Sequence, residues 1–188
     1  MSDEKLEKLV TLSTYMRWFC VALMVLVIIA GAAVMLLGAL TGASWFFDQL
    51  ASWNQTSGVP FAPETVGIGT RLLIVAVNAI TIYFTCRGLW FLMQLFSAFS
   101  DHEVLSVRTS QLLRRAGSSF LIVAIYGVLA RTISILLLTM GNPAGQKQLS
   151  IGLGSEQFFA ILLAGTLFVI GHVLSIAVSI EEENKGFI

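Results

Sequence analysis

Three charged or titratable side chains, Arg87, Arg131 and His172, stand inside long apolar segments of this sequence, together with the amide Asn78. A guanidinium binds a phosphate or carboxylate through paired hydrogen bonds, and an amide can complete such a site. An imidazole can also exchange a proton near neutral pH. If the four side chains converge, the sequence predicts a binding site for a lipid phosphate or another anion.

The same side chains have two other interpretations. Polar side chains within a membrane can hydrogen-bond between helices, and long ones can extend toward the interface, which are structural roles. A proton relay is the third interpretation, but relays commonly use intramembrane carboxylates. The apolar segments contain no Asp or Glu, so the sequence gives a relay little support.

A second group of polar residues lies in the segments that connect or follow the apolar ones. These residues are candidates for contact with lipid head groups or with a protein partner: Arg108, Arg114, Arg115, Glu182 and Asn184. Arginines at a membrane surface are attracted to phosphate head groups. Ser100 and Glu103 have the spacing of a capping box that would begin a helical turn, and Ser106 can cap the helix that follows.

The sequence lacks the patterns that metal, cofactor or enzyme chemistry usually shows. It has no HExxH, no CxxC, no Gly-rich phosphate loop and no paired carboxylates within the apolar segments. Cys20 and Cys86 lie in apolar segments without metal-ligand spacing, so we expect them to be small buried hydrophobic residues. We therefore predict no metal, no cofactor and no enzymatic activity.

Four apolar segments must position these side chains: residues 18–40, 72–96, 116–140 and 158–180. Each is about 23 to 25 residues long, and a helix needs about 20 mostly apolar residues to cross the hydrocarbon core of a bilayer. The predicted fold class is all-α, an integral membrane bundle of four transmembrane helices. The connections are short, so residues 1–188 are predicted to form a single membrane domain.

The composition also favours a membrane protein that contacts the lipid bilayer. The 188 residues are 56% hydrophobic and only 12% charged, whereas a soluble domain carries about 25% charged residues. The mean hydropathy is +0.85. The formal net charge is zero, which argues against a nucleic-acid partner because such binding requires a basic surface.

The basic residues are distributed unevenly among the connecting segments. The N-terminal segment, the connection between the second and third apolar segments, and the C-terminal tail contain Lys5, Lys8, Arg17, Arg108, Arg114, Arg115 and Lys185. The connections 41–71 and 141–157 contain only Arg71 and Lys147. Because cytoplasmic loops are enriched in Lys and Arg, both termini are predicted to lie in the cytoplasm.

The two outward connections carry weaker patterns. Phe46, Leu50 and Trp53 share one helix face, which predicts a short helix in the outer leaflet. Apolar residues alternate with small or polar ones at 66–70 and 149–154, so these pieces are predicted to be extended and able to pair. Ser155 is a candidate cap for the fourth apolar segment, and Glu156 would be favourable at the positive end of that helix. The similarity of 66–70 to 151–155 indicates a weak internal repeat, which would place Arg87 and His172 at similar depth.

Small and polar residues form stripes on two of the apolar segments. One stripe contains Asn78, Thr81, Thr85 and Gly88, and the other contains Gly165, His172, Ser175 and Ser179. Because intramembrane polar residues usually face protein or water, both stripes are predicted to face the bundle interior. Asn78 would then be able to hydrogen-bond Arg131. The pairs Gly38 with Gly42 and Gly171 with Ser175 predict close helix packing, within the chain or between protomers.

Several stretches in the second half of the chain resemble one bacterial family. Residues 99–106 read FSDHEVLS, 112–117 read LLRRAG, 142–146 read NPAGQ and 182–188 read EENKGFI. Over roughly residues 85–188 the chain resembles the family catalogued as domain of unknown function 2975. Leu105 departs from that pattern, where an aromatic residue is frequent. The resemblance implies a small four-helix protein of the bacterial inner membrane and implies no particular activity.

Two functions from different classes remain open. The first is a non-enzymatic accessory or regulatory protein that acts through protein or lipid partners and is able to form a homo-oligomer. The second is a small transporter or a lipid- or anion-binding protein that uses the intramembrane Arg and His residues. A water-accessible cavity lined by Arg87 and His172 would favour the second function. A solid bundle in which these side chains are paired or extend to the interface would favour the first.

Overall fold

The computed structural model describes residues 3–41, 66–101, 106–140 and 155–185, with side chains described for 10–37, 66–101, 106–140, 155–181 and 183. Within these ranges the chain forms four α-helices: α1 (Asp3–Thr41), α2 (Ile68–Ser100), α3 (Val107–Thr139) and α4 (Ser155–Lys185). Each helix contains a stretch long and apolar enough to cross a membrane, judged by length and composition. The predicted all-α, four-helix membrane fold class is confirmed.

Every helix extends beyond the apolar segment that predicted it. The helices contain 31 to 39 residues. At 1.5 Å per residue they are about 46 to 58 Å long, whereas the hydrocarbon core is about 30 Å thick. α1 continues without interruption from Asp3 into the apolar segment because no proline or glycine precedes Gly31. The helix ends therefore project past the hydrocarbon core or the helices tilt.

The connection between α2 and α3 confirms one predicted cap and corrects another. The Ser106 hydroxyl accepts from the Thr109 backbone N–H at 3.1 Å, and the Thr109 hydroxyl accepts from the Ser106 N–H at 3.1 Å. Ser106 thus caps α3 as predicted. Ser100 belongs to the end of α2 and does not begin a new turn, because its hydroxyl donates to the Phe96 carbonyl at 3.0 Å. Glu103 lies outside the described residues.

At the opposite end of α2, the predicted extended piece at 66–70 is mostly helical. α2 begins at Ile68, so only Val66 and Gly67 of that piece precede the helix. Arg71 holds this start, since its Nε donates to the Val66 carbonyl at 3.1 Å. The short helix predicted at Phe46–Trp53 and the extended residues 149–154 lie outside the described residues. α4 begins at Ser155, and Glu156 lies in its first turn as predicted.

The helices pack in chain order, each antiparallel to the next. α1 packs against α2, α2 against α3 and α3 against α4, whereas the other helix pairs make at most slight contact within the described ranges. α2 and α3 are therefore central, and α1 and α4 flank them. We call the end of the bundle with Arg17, Ser100 and Val107 the terminal end, and the end with Thr139 and Ser155 the distal end.

Glycine allows the closest of these helix approaches. A Cβ added at Gly117 of α3 would lie 2.5 Å from the backbone nitrogen of Phe168, and one added at Gly171 of α4 would lie 2.6 Å from that of Arg114. Backbone atoms cannot move aside as a side chain can, so at each of these two contacts α3 and α4 approach closely because one of the two helices has no side chain there. The predicted close packing at Gly171 is thus within the chain. Gly42 and the packing around Gly38 lie outside the described residues.

Candidate functional site

The sequence-predicted intramembrane site is divided between different surfaces of the bundle. Arg87 and His172 are exposed, Arg131 is half-buried and Asn78 is buried. Asn78 and Arg131 line a common cleft, and neither Arg87 nor His172 belongs to its lining. The predicted inward orientation of His172 is wrong, and Arg87 also lies on the outer surface of the bundle.

Arg87 lies in the middle of an exposed face of α2. This face, which we call the Arg87 face, consists of Ala76, Ile80, Tyr83, Arg87 and Trp90, all of which are exposed. Tyr83 is 61% exposed and Trp90 is 47% exposed, so the aromatic side chains project away from the neighbouring helices. Asn78 precedes Arg87 by nine residues, which at about 100° per residue places the two on opposite sides of α2.

The Arg87 guanidinium contacts an aromatic ring on its own helix. Its central carbon lies 5.6 Å from the ring centre of Phe91, one turn toward the terminal end. The terminal end is the nearer end of the apolar segment 72–96 for Arg87, so the side chain extends in the direction that shortens its distance to water. The guanidinium thus has a cation–π contact, but the side chain remains on the outer surface of the bundle.

His172 occupies a different surface and a different depth. It is exposed on α4, as is Ser179, so the stripe predicted to face inward from α4 does not do so as a whole. Gly171, beside it, contacts the Arg114 backbone, whereas Gly88, beside Arg87, contacts the Phe120 ring. These contacts are six residues apart along α3, a difference in depth of about 9 Å. The similar depth that the weak repeat predicted for Arg87 and His172 is therefore not observed.

A cleft at the distal end brings together polar side chains from three helices. We call it the distal cleft, and its volume is about 580 Å³. Its polar lining residues are Asn78, Thr81, Arg131, Glu156 and Gln157. Its apolar wall includes Leu26, Val27, Ala30 and Met35 of α1. The cleft therefore presents both a cation and an anion beside an apolar surface, within the usual size range of ligand pockets.

Contacts between α2 and α3 fix the floor of the distal cleft. The Asn78 amide donates to the Ile74 carbonyl at 2.8 Å and to the Ser134 hydroxyl at 3.4 Å. The Tyr126 hydroxyl donates to the Val77 carbonyl at 3.0 Å. The predicted bond from Asn78 to Arg131 is not among the hydrogen bonds described for Asn78. These contacts hold the two helices in one register and so keep Arg131 beside Asn78 at the cleft.

One hydroxyl at the distal cleft has an unmet hydrogen-bonding capacity. The Thr81 Oγ1 atom is buried and has no hydrogen-bond partner among the described residues. Most buried polar atoms in proteins are paired, so an unpaired one at a cleft invites a ligand or water as its partner. Gly127, also in the lining, has open space where a Cβ would be. The cleft is therefore roomy where α3 contributes no side chain.

A smaller pocket at the terminal end joins two arginines that are distant in sequence. We call it the terminal pocket, and its volume is about 220 Å³. Arg17 of α1 and Arg108 of α3 line it, together with Gln94 and Ser97 of α2. Of the other predicted head-group contacts, Arg114 and Arg115 are exposed on α3. The side chains of Glu182 and Asn184 lie outside the described residues.

Sequence reasoning missed two features of these sites. It treated Arg17 only as an orienting charge, and it treated Glu156 only as a favourable charge at a helix start. Both of these roles were inferred from the position of a residue along its own helix. The pockets depend on the register between different helices, which the sequence does not show. One feature of the sequence could have identified Glu156 as a candidate site residue: it stands in the first turn of α4, close to the depth expected for a lipid head group.

The two cysteines agree in part with the expectation that they are small buried residues. Cys20 is buried and Cys86 is half-buried, and both are free thiols. Among the described residues, no three His, Cys, Asp or Glu side chains are grouped so that they could hold a metal ion. The distal cleft, the terminal pocket and the Arg87 face are therefore the surfaces on which a proposed function can rest.

Comparisons of the chain with protein-family models, with curated proteins and with solved structures find no match. The class of this chain is therefore defined by its fold alone: it is a multi-pass membrane protein with four helices. The resemblance to domain of unknown function 2975 stays a prediction.

Proposed function

We propose that this protein is a non-enzymatic accessory subunit that docks on a transmembrane helix of a different membrane protein through the Arg87 face. The observation that carries the proposal is the exposure of Arg87 on the outer surface of the bundle, in the middle of a membrane-spanning helix. An arginine there faces hydrocarbon in the isolated chain. The free-energy cost of a cation in hydrocarbon is the reason to expect a partner that covers it.

A cation facing lipid is costly unless something covers it. Arg at the centre of a spanning helix costs about 2.5 to 3.5 kcal/mol on insertion scales. The contact with Phe91 offsets about 0.5 to 2 kcal/mol of this. A carboxylate on a neighbouring helix would remove the rest, because an arginine and a carboxylate form two parallel charge-assisted hydrogen bonds.

The spacing of the Arg87 face fits an α-helix as the partner. Ala76, Ile80, Tyr83, Arg87 and Trp90 are separated alternately by four and three residues. That spacing is the seam along which two helices pack side by side. Ala76 is small enough to allow close approach at one end, and the aromatic residues supply contact area around the charge.

The proposed partner is another protein and not a second copy of this chain. None of the four apolar segments of the sequence contains Asp or Glu, so a second copy could not offer a carboxylate from within a span. The proposed location is the bacterial inner membrane with both termini in the cytoplasm, supported by the distribution of Lys and Arg. The resemblance to a bacterial inner-membrane family supports the same location. Arg17 and Arg108 then lie at the cytoplasmic head groups and anchor the bundle.

Photo-crosslinking in cells tests the proposal directly. A photoreactive phenylalanine analogue replaces Tyr83 on the Arg87 face, and the matched control replaces Leu163, which is 66% exposed on α4. We expect an adduct with one other membrane protein at position 83, its loss in the Arg87→Leu background, and no such adduct at position 163. The crosslinked helix of the partner should contain Asp or Glu.

Three results would contradict the proposal. One is the same set of adducts at positions 83 and 163, which would indicate contact with whatever is abundant in the membrane. Another is an adduct only with a second copy of this chain. The third is an adduct at position 83 that persists unchanged in Arg87→Leu, since the charge would then play no part in docking.

The lipid- or anion-binding alternative has one specific observation in its favour. Arg131 and Asn78, two of the four residues predicted for it, line the distal cleft together. Arg87 and His172 do not line that cleft, so transport along a path that joins all four residues has no support from their placement. Binding at the distal cleft is independent of docking at the Arg87 face, which lies on the opposite side of α2.

A further inference from the structure

We infer that the distal cleft binds an uncharged, membrane-soluble molecule whose carbonyl oxygen accepts a hydrogen bond from the Thr81 hydroxyl. Thr81 lines the cleft from α2, and its Oγ1 atom is buried without a hydrogen-bond partner among the described residues. A buried hydroxyl in that state is unfavourable, because its hydrogen bond to water has been lost and not replaced. The cleft, of about 580 Å³, is large enough to hold a molecule that supplies the missing acceptor.

Thr81 lacks a partner because the usual acceptor for a threonine in a helix is already occupied. Such hydroxyls commonly donate to the backbone carbonyl four residues earlier, and those of Thr85 and Thr132 do so here at 2.8 and 2.9 Å. The corresponding carbonyl for Thr81 is that of Val77, which accepts from the Tyr126 hydroxyl at 3.0 Å. A carbonyl oxygen has two lone pairs, and the backbone of α2 uses the other one. The Thr81 hydroxyl therefore needs an acceptor from outside its own helix.

The cleft is an open groove over α2, the helix that carries Thr81. Within the described ranges, α1 and α3 both pack on α2 but make at most slight contact with each other. Both walls of the groove include small residues, Ala30 and Gly31 on α1 and Gly127 and Ala130 on α3. A Cβ added at Gly127 would meet nothing within 4 Å. The space between the two walls is therefore available to a ligand.

The depth of Thr81 favours an uncharged ligand. Thr81 lies nine residues from Leu72, the distal end of the apolar segment 72–96. That separation is about 14 Å along the helix, close to the middle of a hydrocarbon core about 30 Å thick. A charged molecule is strongly disfavoured at that depth. Leu26 and Met35 of α1 add aliphatic surface to the lining, which suits the apolar part of a membrane-soluble molecule.

The charged residues of the cleft are not needed to select the ligand. Arg131 already has an interaction partner in the structure, and Glu156 is exposed in the first turn of α4. The unpartnered donor is the neutral Thr81 hydroxyl, and a carbonyl oxygen satisfies it without introducing a charge. A lipid-soluble quinone carries such an oxygen on a ring that reaches the middle of the bilayer. A glycerolipid carries it on an ester nearer the head groups, so the depth of Thr81 favours the quinone.

Native mass spectrometry of the full-length protein in detergent tests the inference. The delipidated protein is titrated with decylbenzoquinone and with decylbenzene, which has the same carbon skeleton but no oxygen. We expect one decylbenzoquinone to bind at least about fivefold more tightly than decylbenzene, a difference of about 1 kcal/mol and the usual net contribution of one hydrogen bond. Dioctanoylglycerol is the third probe. If it binds as tightly as the quinone, that result would support the same site with an ester carbonyl as the acceptor.

Two pairs of variants assign the binding to the Thr81 hydroxyl and to the cleft. Thr81→Val removes the hydroxyl and keeps the shape of the side chain. Thr85→Val is its control, because the Thr85 hydroxyl already donates to the Thr81 carbonyl at 2.8 Å and Thr85 is not part of the cleft lining. We expect Thr81→Val to bind decylbenzoquinone and decylbenzene equally and Thr85→Val to keep the preference for the quinone.

The second pair fills space. Gly127→Leu fills the cleft, and Gly165→Leu is its control, because both glycines have open space at the Cβ position but Gly165 is not part of the cleft lining. We expect Gly127→Leu to lose the bound decylbenzoquinone and Gly165→Leu to keep it. A melting temperature for each variant in the same detergent shows that folded proteins are compared. Without ligand, Thr81→Val should melt no lower than the wild type, because the hydroxyl that it removes has no partner among the described residues.

Any of three results would overturn the inference. Equal binding of decylbenzoquinone and decylbenzene by the wild type, or no saturable binding of either, would mean that the cleft recognises no carbonyl oxygen. A preference for the quinone that persists in Thr81→Val would mean that Thr81 does not supply the hydrogen bond. Binding by Gly127→Leu that equals binding by Gly165→Leu would place the quinone outside the distal cleft.

Discussion

Arg87 and Arg131 are the same residue type in similar apolar segments, yet they occupy opposite environments. Arg87 is exposed on the outer surface of α2, whereas Arg131 is half-buried at the distal cleft. The sequence could identify both as intramembrane cations, but it could not say which way they point. In a membrane protein the core and the lipid are equally apolar, so hydrophobicity does not distinguish an inward face from an outward one.

The same limit explains the error at His172. The residue shares a stripe with Gly165 and Ser175, and intramembrane polar residues usually face protein. Gly165 and Ser175 are half-buried, but His172 is exposed. A stripe of small residues marks the packed side of α4 only approximately, and the contact of Gly171 with the α3 backbone decides the rotation.

Replacing Arg87 should prevent docking on the partner but leave the fold of this chain intact. Among the described residues, Arg87 contacts the Phe91 ring of its own helix, so Arg87→Leu should lower the free energy of unfolding of the purified protein by no more than about 2 kcal/mol. The measurement is unfolding in mixed micelles by circular dichroism, and Phe91→Leu serves as the control that removes the ring alone. A loss above about 2 kcal/mol would mean that Arg87 supports the fold and is not held for a partner.

At the scale of the helix, the sequence predicted which segments form helices better than it predicted the residues at which those helices begin and end. All four spanning helices lie where apolar segments placed them, but α2 runs from Ile68 to Ser100 and not from 72 to 96. An apolar run marks the part of a helix within hydrocarbon, whereas the backbone hydrogen bonding continues until a residue interrupts it. Ser106 could be predicted as a cap because a cap depends only on residues near it in sequence.

The register between helices could not be predicted in the same way. It depends on contacts between residues far apart in sequence, such as Asn78 with Ser134 and Tyr126 with Val77. The distal cleft depends on such registers, because its lining residues come from all four helices, with Arg131 on α3 and Glu156 on α4. Each residue was visible in the sequence, but their proximity was not.

The glycines at the α3–α4 contact should be the least tolerant of substitution. Gly117→Ala and Gly171→Ala each place a Cβ within 2.6 Å of a backbone nitrogen on the other helix. We expect each to lower the free energy of unfolding by about 1 to 3 kcal/mol, the usual cost of overpacking. The measurement is again unfolding in mixed micelles.

The chain supplies its own controls for that experiment. A Cβ at Gly127 or at Gly165 would meet nothing within 4 Å, although both glycines are on the same two helices. Gly127→Ala and Gly165→Ala should therefore leave stability unchanged or raise it slightly, because alanine favours the helix. Equal losses in all four variants would mean that backbone propensity and not close packing sets the effect.

At the scale of the whole molecule, the packing order leaves surfaces open. Each helix packs mainly on its neighbours in the chain, so among the described residues one face of α2, the Arg87 face, contacts no other helix of the bundle. On the other side of the same helix, the distal cleft is lined by residues of α1, α2, α3 and the first turn of α4. The Arg87 face and the distal cleft are therefore separate surfaces on opposite sides of α2.

We propose that this chain is one subunit of a larger membrane assembly held together through Arg87. The most direct test is the mass of the particle extracted from native membranes in a polymer that keeps the surrounding lipid. We predict a complex of this 20.4 kDa chain with a different subunit for the wild type, and the chain alone for Arg87→Leu. A wild-type particle that contains only this chain, or an identical complex in Arg87→Leu, would contradict the account.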